Sequence, residues 1–291
     1  MTFKEKLKAG KFVVTSEVGP PKGADVSHLL EGAELFKDRV DATNVTDIQS
    51  SVMRVGSLAV SYLLKARGHE PIFQITCRDR NRLALQSDIL SAAVLGIENI
   101  LVLTGDHQSL GDHPQAKGVF DLNSVQLLGA LQGLQEGRDM AGNKLEGAPP
   151  KFCVGAVVNP GADPVEPEII KLEKKIEAGA EFIQTQAVYD PDKFNSFMKA
   201  IKNIKVPVLA GIVLLKSASM ARYMNENVAG VDVPQNLIDE IASVSKEARP
   251  KKTVEIAARL ITRLKPMCSG IHIMPLGWDR YVGPVLDMAG I

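Results

Sequence analysis

Residues 71–103 read PIFQITCRDRNRLALQSDILSAAVLGIENILVL. A continuous apolar run, Pro71–Ile75, leads into a stretch with apolar residues at helical spacing, Asn81–Leu95. Gly96 follows, and then a second continuous apolar run, Asn99–Leu103. Unbroken Val/Ile/Leu runs mark strands buried on both faces, as in a parallel sheet, whereas a half-buried strand alternates. Gly96 stands where a helix end takes a left-handed residue, a conformation glycine adopts without steric cost. The segment is therefore a strand, a helix and a parallel strand.

The same alternation continues on both sides. Strands are predicted at Phe12–Ser16, Val40–Asn44, Phe152–Val158, Phe182–Thr185, Val206–Ala210 and Gly270–Ile273. Helices are predicted at Val26–Lys37, Val52–Ala66, Ser124–Gln135, Glu166–Ala178, Pro191–Asn203 and Val254–Leu264, with Gly68 and Gly179 closing two of them. Ala218–Lys246 supplies an extra helix before the last helix, and the Gly-rich stretch Glu136–Pro150 reads as a long connection. Eight regular units in 291 residues predict an α/β fold, a single (β/α)8 TIM barrel over residues 1–291, because such a barrel takes about 250 residues. A doubly wound open sheet is the alternative.

Composition narrows the function class. The chain is 45% hydrophobic and 23% charged with zero formal net charge, which gives a core but no basic excess for nucleic acid. Cys77, Cys153 and Cys268 lie far apart without metal-ligand spacing, as in a reduced, cytoplasmic protein. The start, MTFKEKLKAGKFVV, is too charged for a signal peptide, and no apolar run approaches the roughly 18 residues of a membrane span. No H-E-x-x-H, Gly-rich dinucleotide fingerprint or P-loop occurs. His107 and His113 share one loop, but a metal site is not expected there.

A barrel enzyme carries its active site at the C-terminal ends of its strands. The polar residues there are Glu17 after strand one, Thr46 and Asp47 after strand two, and Gln74 and Thr76 at the end of strand three. Asp106 follows strand four, Asn159 strand five, Gln184 and Gln186 strand six, and His272 ends strand eight. An acidic residue after a strand is often a helix cap, and Asp47 fits that reading. Glu17 does not, because Val18-Gly19-Pro20-Pro21 offers no helix to cap. Gly105, before Asp106, marks a close backbone approach. A buried amide such as Gln186 needs a partner.

Several of these residues lie in recognisable motifs. SEVGPPK at 16–22 resembles an S-F-E-hydrophobic-P-P-K segment, and LVLTGD at 101–106 resembles an L-x-G-D segment. VGAVVNPGADP at 154–164 and LEKKIEAGAEFIQTQAVYD at 172–190 resemble a fifth-strand loop and a K-x-x-A-G-A-x-x-x-x-T-Q-x-x-x-D signature. In order, over nearly the whole chain, these resemble the methylenetetrahydrofolate reductase family of flavin-containing barrels. The resemblance implies Glu17 as general acid, Asp106 as the acid near flavin and pterin, and Gln186 as the amide that binds folate. It implies flavin-binding positions at Thr46, Gln74, Gly105, Asp106, Glu168 and Lys175, with FAD or FMN as cofactor and a tetrahydrofolate derivative as partner.

The chain departs from well-studied bacterial members at four places. Thr104 replaces an Arg, Gln74 a His, and Ala218 a Phe that sandwiches nicotinamide or folate. Met274-Pro275-Leu276-Gly277-Trp278 replaces Y-T-L-N-R. The first change weakens a phosphate contact, and the third disfavours NADH as direct donor. The chemistry implied is reduction of 5,10-methylenetetrahydrofolate, with a proton to open the ring and hydride from the flavin. Two alternatives remain at this point. One is an electron-relay flavoprotein working with an iron–sulfur or other redox partner. The other is a flavin-free pterin-binding methyltransferase barrel, which would be colourless.

Overall fold

The computed structural model describes residues 1–291. Eight parallel strands close into a barrel in sequence order. They are β1 (Val13–Val18), β2 (Ala42–Val45), β3 (Pro71–Thr76), β4 (Asn99–Leu103), β5 (Cys153–Val158), β6 (Phe182–Ala187), β7 (Val208–Val213) and β8 (Gly270–Met274). The helices are α1 (Phe3–Lys8), α2 (Ser27–Glu34), α3 (Ser57–Ala66), α4 (Arg82–Val94), α5 (Ser124–Gln135), α6 (Glu166–Glu177) and α7 (Pro191–Ala200). After β7 come α8 (Ala218–Asn227), α9 (Gln235–Ala242) and α10 (Arg249–Leu264), and α11 (Val282–Met288) follows β8. The closed ladder, Val13 on Gly270 at one seam and Thr15 on Ala42 at the next, excludes the open sheet.

The elements form for local reasons that the sequence carries. Asn81 accepts from the backbone N–H of Leu83 and Ala84 and so starts α4. Asn123 and Gln126 make a reciprocal capping box on α5, each satisfying an otherwise orphaned donor. Gly68, Gly96 and Gly179 take φ of +80°, +72° and +106° just past helix ends, as expected of C-terminal glycines.

Several boundaries differ from the sequence reading. β1 and β6 run further than predicted, so Glu17 and Gln186 lie within strands rather than after them. Pairing of Glu17 with Asn44 and Val18 with Val45 carries β1 to its new end. α3 begins only at Ser57, because Gly56 is still extended at φ −64°, ψ 138°. The extra material before α10 is two helices, α8 and α9.

Alternate strand positions face the barrel axis and divide it into layers. At the N-terminal end, Val13, Ala42, Ile72, Leu101, Cys153, Phe182 and Leu209 form an apolar cluster with Phe3 and Leu7 of α1. The Phe3 ring meets Phe182 edge-on at 5.2 Å between centroids, so α1 plugs the bottom of the barrel. Gly155 makes room for this plug: a Cβ there would stand 2.3 Å from the Phe182 ring. Above the plug the interior turns polar with Thr15, Asn44, Gln184 and His272, all buried. Outside the sheet, the helices bury the main core.

Candidate active site

The strand ends open into a cavity of about 380 Å³, within the size range of small-molecule sites. Glu17, Thr46, Gln74, Gly105, Asp106, Glu168, Lys175 and Gln186 all line it, and so do Asp47, Thr76, Asn159, Gln184 and His272. The register explains the convergence. Glu17, Thr46, Gln74 and Gln186 each lie two residues above an inward-facing residue of the polar layer or plug on their own strand, and side chains two apart share a face. The strand-end reading therefore brings every candidate to one mouth.

The surroundings of these residues differ. Glu17 is only 6% exposed, and its Oε2 lies 3.6 Å from His272 Nε2. Asp106 stands on the exposed rim. Gln186 folds its Oε1 onto the backbone N–H of Ala187 at 3.0 Å, which leaves its Nε2 as the free donor. Gly105 takes φ +91°, and a Cβ there would stand 3.1 Å from the Cβ atoms of Thr76 and Arg78. The close approach predicted at Gly105 is thus made in the first instance by the chain's own β3 end. Asn159 bonds the carbonyl of Ala229 at 2.9 Å and the N–H of Gly161 at 3.1 Å, so it pins two loops together.

Asp47 is not a helix cap. Its fully buried carboxylate accepts from Ser57 Oγ (3.2 Å), from the N–H and Oγ1 of Thr76 (both 2.9 Å), and from Arg80 through two guanidinium nitrogens (2.8 and 3.1 Å). Arg80 also reaches Asp88 at 2.8 Å. Burial works against the Arg80 charge, but the hydrogen bonds and charge of Asp47, helped by Asp88 and Asp79, outweigh it and raise its pKa.

Arg78 escaped the sequence reading altogether. It is 1% exposed and pairs with Asp79 at 2.7 Å. It donates to the carbonyls of Asp106 at 3.1 Å and Ile48 at 3.2 Å, tying the loops after β4 and β2 together. Ile48, Ser50 and Ser51 in the β2 loop all have φ between 47° and 60°, which non-glycine residues hold only where their surroundings over-determine it. The run Arg78-Asp79-Arg80, one residue past β3, was the signal: three charges at a strand end need partners.

Lys175 is buried, and its Nζ donates to the Val157 carbonyl at 2.7 Å. Burial lowers its pKa, with Glu168 pulling the other way. Glu168 itself pairs with Lys171 at 2.8 Å, so Lys175 is a cavity cation without a carboxylate of its own. No Phe, Tyr or Trp side chain lines the cavity. Ala218, the first residue of α8, is outside the lining, and so is Tyr223, which is 62% exposed. No group of three or more His, Cys, Asp or Glu is placed to hold a metal ion.

Comparison with known proteins agrees with this picture. The family model described as methylenetetrahydrofolate reductase matches residues 2–290. The chain is 25% identical to methylenetetrahydrofolate reductase 2 of Schizosaccharomyces pombe, over 99% of this chain and 47% of that protein. It is 22% identical to a probable methylenetetrahydrofolate reductase (NADPH) of Caenorhabditis elegans, over 91% of this chain and 39% of that one. The chain thus spans half or less of the length of these curated relatives. Among solved structures, an uncharacterized protein from Clostridium thermocellum that binds two copies of 5-methyl-5,6,7,8-tetrahydrofolic acid superposes with a TM-score of 0.66 at 15% identity, covering 99% of each chain. EDTA monooxygenase from Chelativorans sp. BNC1 superposes at 0.55 with 13% identity, over 96% of this chain and 93% of that one. At these identities the two structures support the fold alone.

Proposed function

Because the chain belongs to the methylenetetrahydrofolate reductase family, we propose that it reduces 5,10-methylenetetrahydrofolate to 5-methyltetrahydrofolate, with a bound flavin, FAD or FMN, as hydride source. The observation that carries the reading is the convergence of Glu17, Asp106 and Gln186 on one cavity with the buried Lys175 cation. The donor set of the cavity fits a flavin. Lys175 offers a positive charge to an electron-rich ring or a phosphate. Thr46, Gln74, Glu168 and Lys175 would hold the group. When bound and reduced, it supplies the two electrons of the reaction as hydride.

The residues of the chain do the rest. The substrate's methylene carbon bridges N5 and N10, and it accepts hydride only after one C–N bond opens. Glu17 gives a proton to N10, the C–N10 bond breaks, and N5 keeps the carbon as an iminium cation. The Asp106 carboxylate stabilises that positive charge by fixed electrostatics. The Gln186 amide reads the pterin edge with its free Nε2 donor. Hydride then closes the carbon to a methyl group on N5, and Glu17, now a carboxylate, takes its next proton from solvent. The three cysteines are unpaired, in keeping with a reducing, cytoplasmic setting, and no helix is long and apolar enough to cross a membrane.

The test is an absorption spectrum of the pure protein with and without added FAD or FMN, followed by turnover of Glu17→Gln. The reading expects a flavin spectrum. It expects folate reduction to fall about 10²–10⁴-fold in the variant, with flavin content unchanged. A protein that stays colourless with both flavins would favour the flavin-free pterin barrel, and near-normal turnover by Glu17→Gln would remove Glu17 as the acid. A second reading, an electron-relay subunit served by an iron–sulfur or other redox partner, draws on the absence of any Phe, Tyr or Trp in the cavity lining.

A further inference from the structure

A closed ring of polar side chains crosses the barrel directly beneath the cavity. Asn44 Nδ2 donates to Gln184 Oε1 at 3.0 Å and lies 3.0 Å from His272 Nδ1, nearer than the 3.4 Å to its Nε2. Gln184 Nε2 donates to Thr15 Oγ1 at 3.4 Å, and that hydroxyl lies 2.9 Å from the same Nδ1. The four side chains are at most 4% exposed, so their hydrogen bonds must be settled among themselves.

The ring has one economical set of hydrogens. The two Asn44 amide protons serve Gln184 and His272. The Thr15 hydroxyl accepts from Gln184 and shares the single Nδ1 lone pair of His272 with Asn44. The only polar atom left without a partner is Asn44 Oδ1, and an under-satisfied carbonyl is the milder kind of orphan. Turning the Asn44 amide over would strand its two N–H donors at that place instead. Nδ1 is therefore an acceptor, and the imidazole proton sits on Nε2. Nε2 is the nitrogen that faces Glu17 Oε2, at 3.6 Å.

We propose that His272 is a positioning residue for Glu17: a neutral imidazole, held in one tautomer by Asn44 and Thr15, whose Nε2–H fixes one carboxyl oxygen so that the other faces the cavity. The proposal rests on the reading of Glu17 as the proton donor. A neutral N–H suits that task because it bonds the carbonyl oxygen of the acid before transfer and the carboxylate after it. The 3.6 Å separation is longer than a formed hydrogen bond, and catalytic contacts of this kind tighten when substrate is bound.

Two substitutions separate positioning from mere support of the barrel. Glutamine at 272 carries an amide N–H about as far out as Nε2, and asparagine reaches only as far as Nδ1. Positioning predicts that His272→Gln keeps kcat for folate reduction within a few fold, while His272→Asn loses about 10–100-fold in kcat with little change in KM. Flavin content should be the same in both. Equal losses in the two variants, or a better His272→Asn, would overturn the proposal. The tautomer is read independently of activity by nitrogen NMR of histidine-labelled wild-type protein, with the His272 signals assigned by their absence in either variant. A neutral ring protonated at Nε2 is expected, and protonation at Nδ1 would overturn the proposal even if no variant were active. If Glu17→Gln also left turnover intact, Glu17 would not be the acid and the role of His272 would fall with it, while folate reduction itself would stand. An impaired Glu17→Gln beside an unaffected His272→Asn would remove only the role of His272.

Discussion

Replacing Asp47 by asparagine takes a negative charge out of a fully buried site while keeping the shape of the side chain. The carboxylate accepts five hydrogen bonds, from Ser57, from Thr76 twice and from Arg80 twice. The amide oxygen can still serve Thr76, but the new NH2 group faces the Arg80 guanidinium, donor against donor. Removing one partner of a buried ion pair costs about 3–5 kcal/mol. Arg80 keeps Asp88 at 2.8 Å, which argues for the lower end, about 3 kcal/mol. At about 2 °C per kcal/mol for a chain of this size, Tm should fall by about 6 °C. A helix cap in the same position would contribute only about 1 kcal/mol, or about 2 °C. A thermal scan followed by far-UV circular dichroism therefore distinguishes the buried hub from the cap. A fall of 2 °C or less would refute the energetic argument, and Arg80→Met in the Asp47→Asn background should cost little more than the single change.

Three further outcomes follow from the same geometry. Asp106→Asn, on the exposed rim, should slow folate reduction by about tenfold or more through loss of charge while flavin content stays constant; loss of flavin from a folded variant would make Asp106 a cofactor ligand instead. NADH should reduce the flavin of the isolated chain slowly, since no Phe, Tyr or Trp lines the cavity to stack on nicotinamide and such a stack is worth about 1 kcal/mol; rapid, saturable bleaching under anaerobic conditions would contradict this. Burial pushes the Cys77 and Cys153 thiols up to about 12 and the Cys268 thiol up to about 11, so at pH 8 all three stay protonated and the native protein should react with iodoacetamide at least about tenfold more slowly than the unfolded chain; equal rates would count against the burial of these groups.

The fold was legible because strands buried on both faces announce themselves as unbroken apolar runs. The candidate site was legible in outline because a barrel gathers its strand ends. What the sequence hid depends on the pleat and on the third dimension. Gln184 and Gln186 face the axis, while Thr185 between them turns its hydroxyl to the N–H of Gly211 at 2.9 Å, a division that a list of strand-end residues does not make. Thr15 and Asn44 sit one layer below the strand ends, so a search confined to the mouth passes over the ring they form with Gln184 and His272. Asp47 looked like a cap because its partner Arg80 is 33 residues away in sequence. α1 and α11 were missed for a different reason: at 6 and 7 residues they are too short to show periodicity, and the packing of Phe3 into the barrel floor is what makes α1 a plug.

Under the proposed function, this cavity passes hydride from a reduced flavin to a folate-bound one-carbon unit. The direct measurement is an anaerobic stopped-flow experiment in which the flavin-loaded protein, fully reduced by dithionite or light, is mixed with 5,10-methylenetetrahydrofolate. Flavin absorbance should return in a single turnover, with one equivalent of 5-methyltetrahydrofolate formed per flavin, and the Glu17→Gln protein should reoxidise about 10²–10⁴-fold more slowly. Reduced flavin that stays reduced in the presence of saturating folate, or reoxidises without forming the methyl product, would contradict the account.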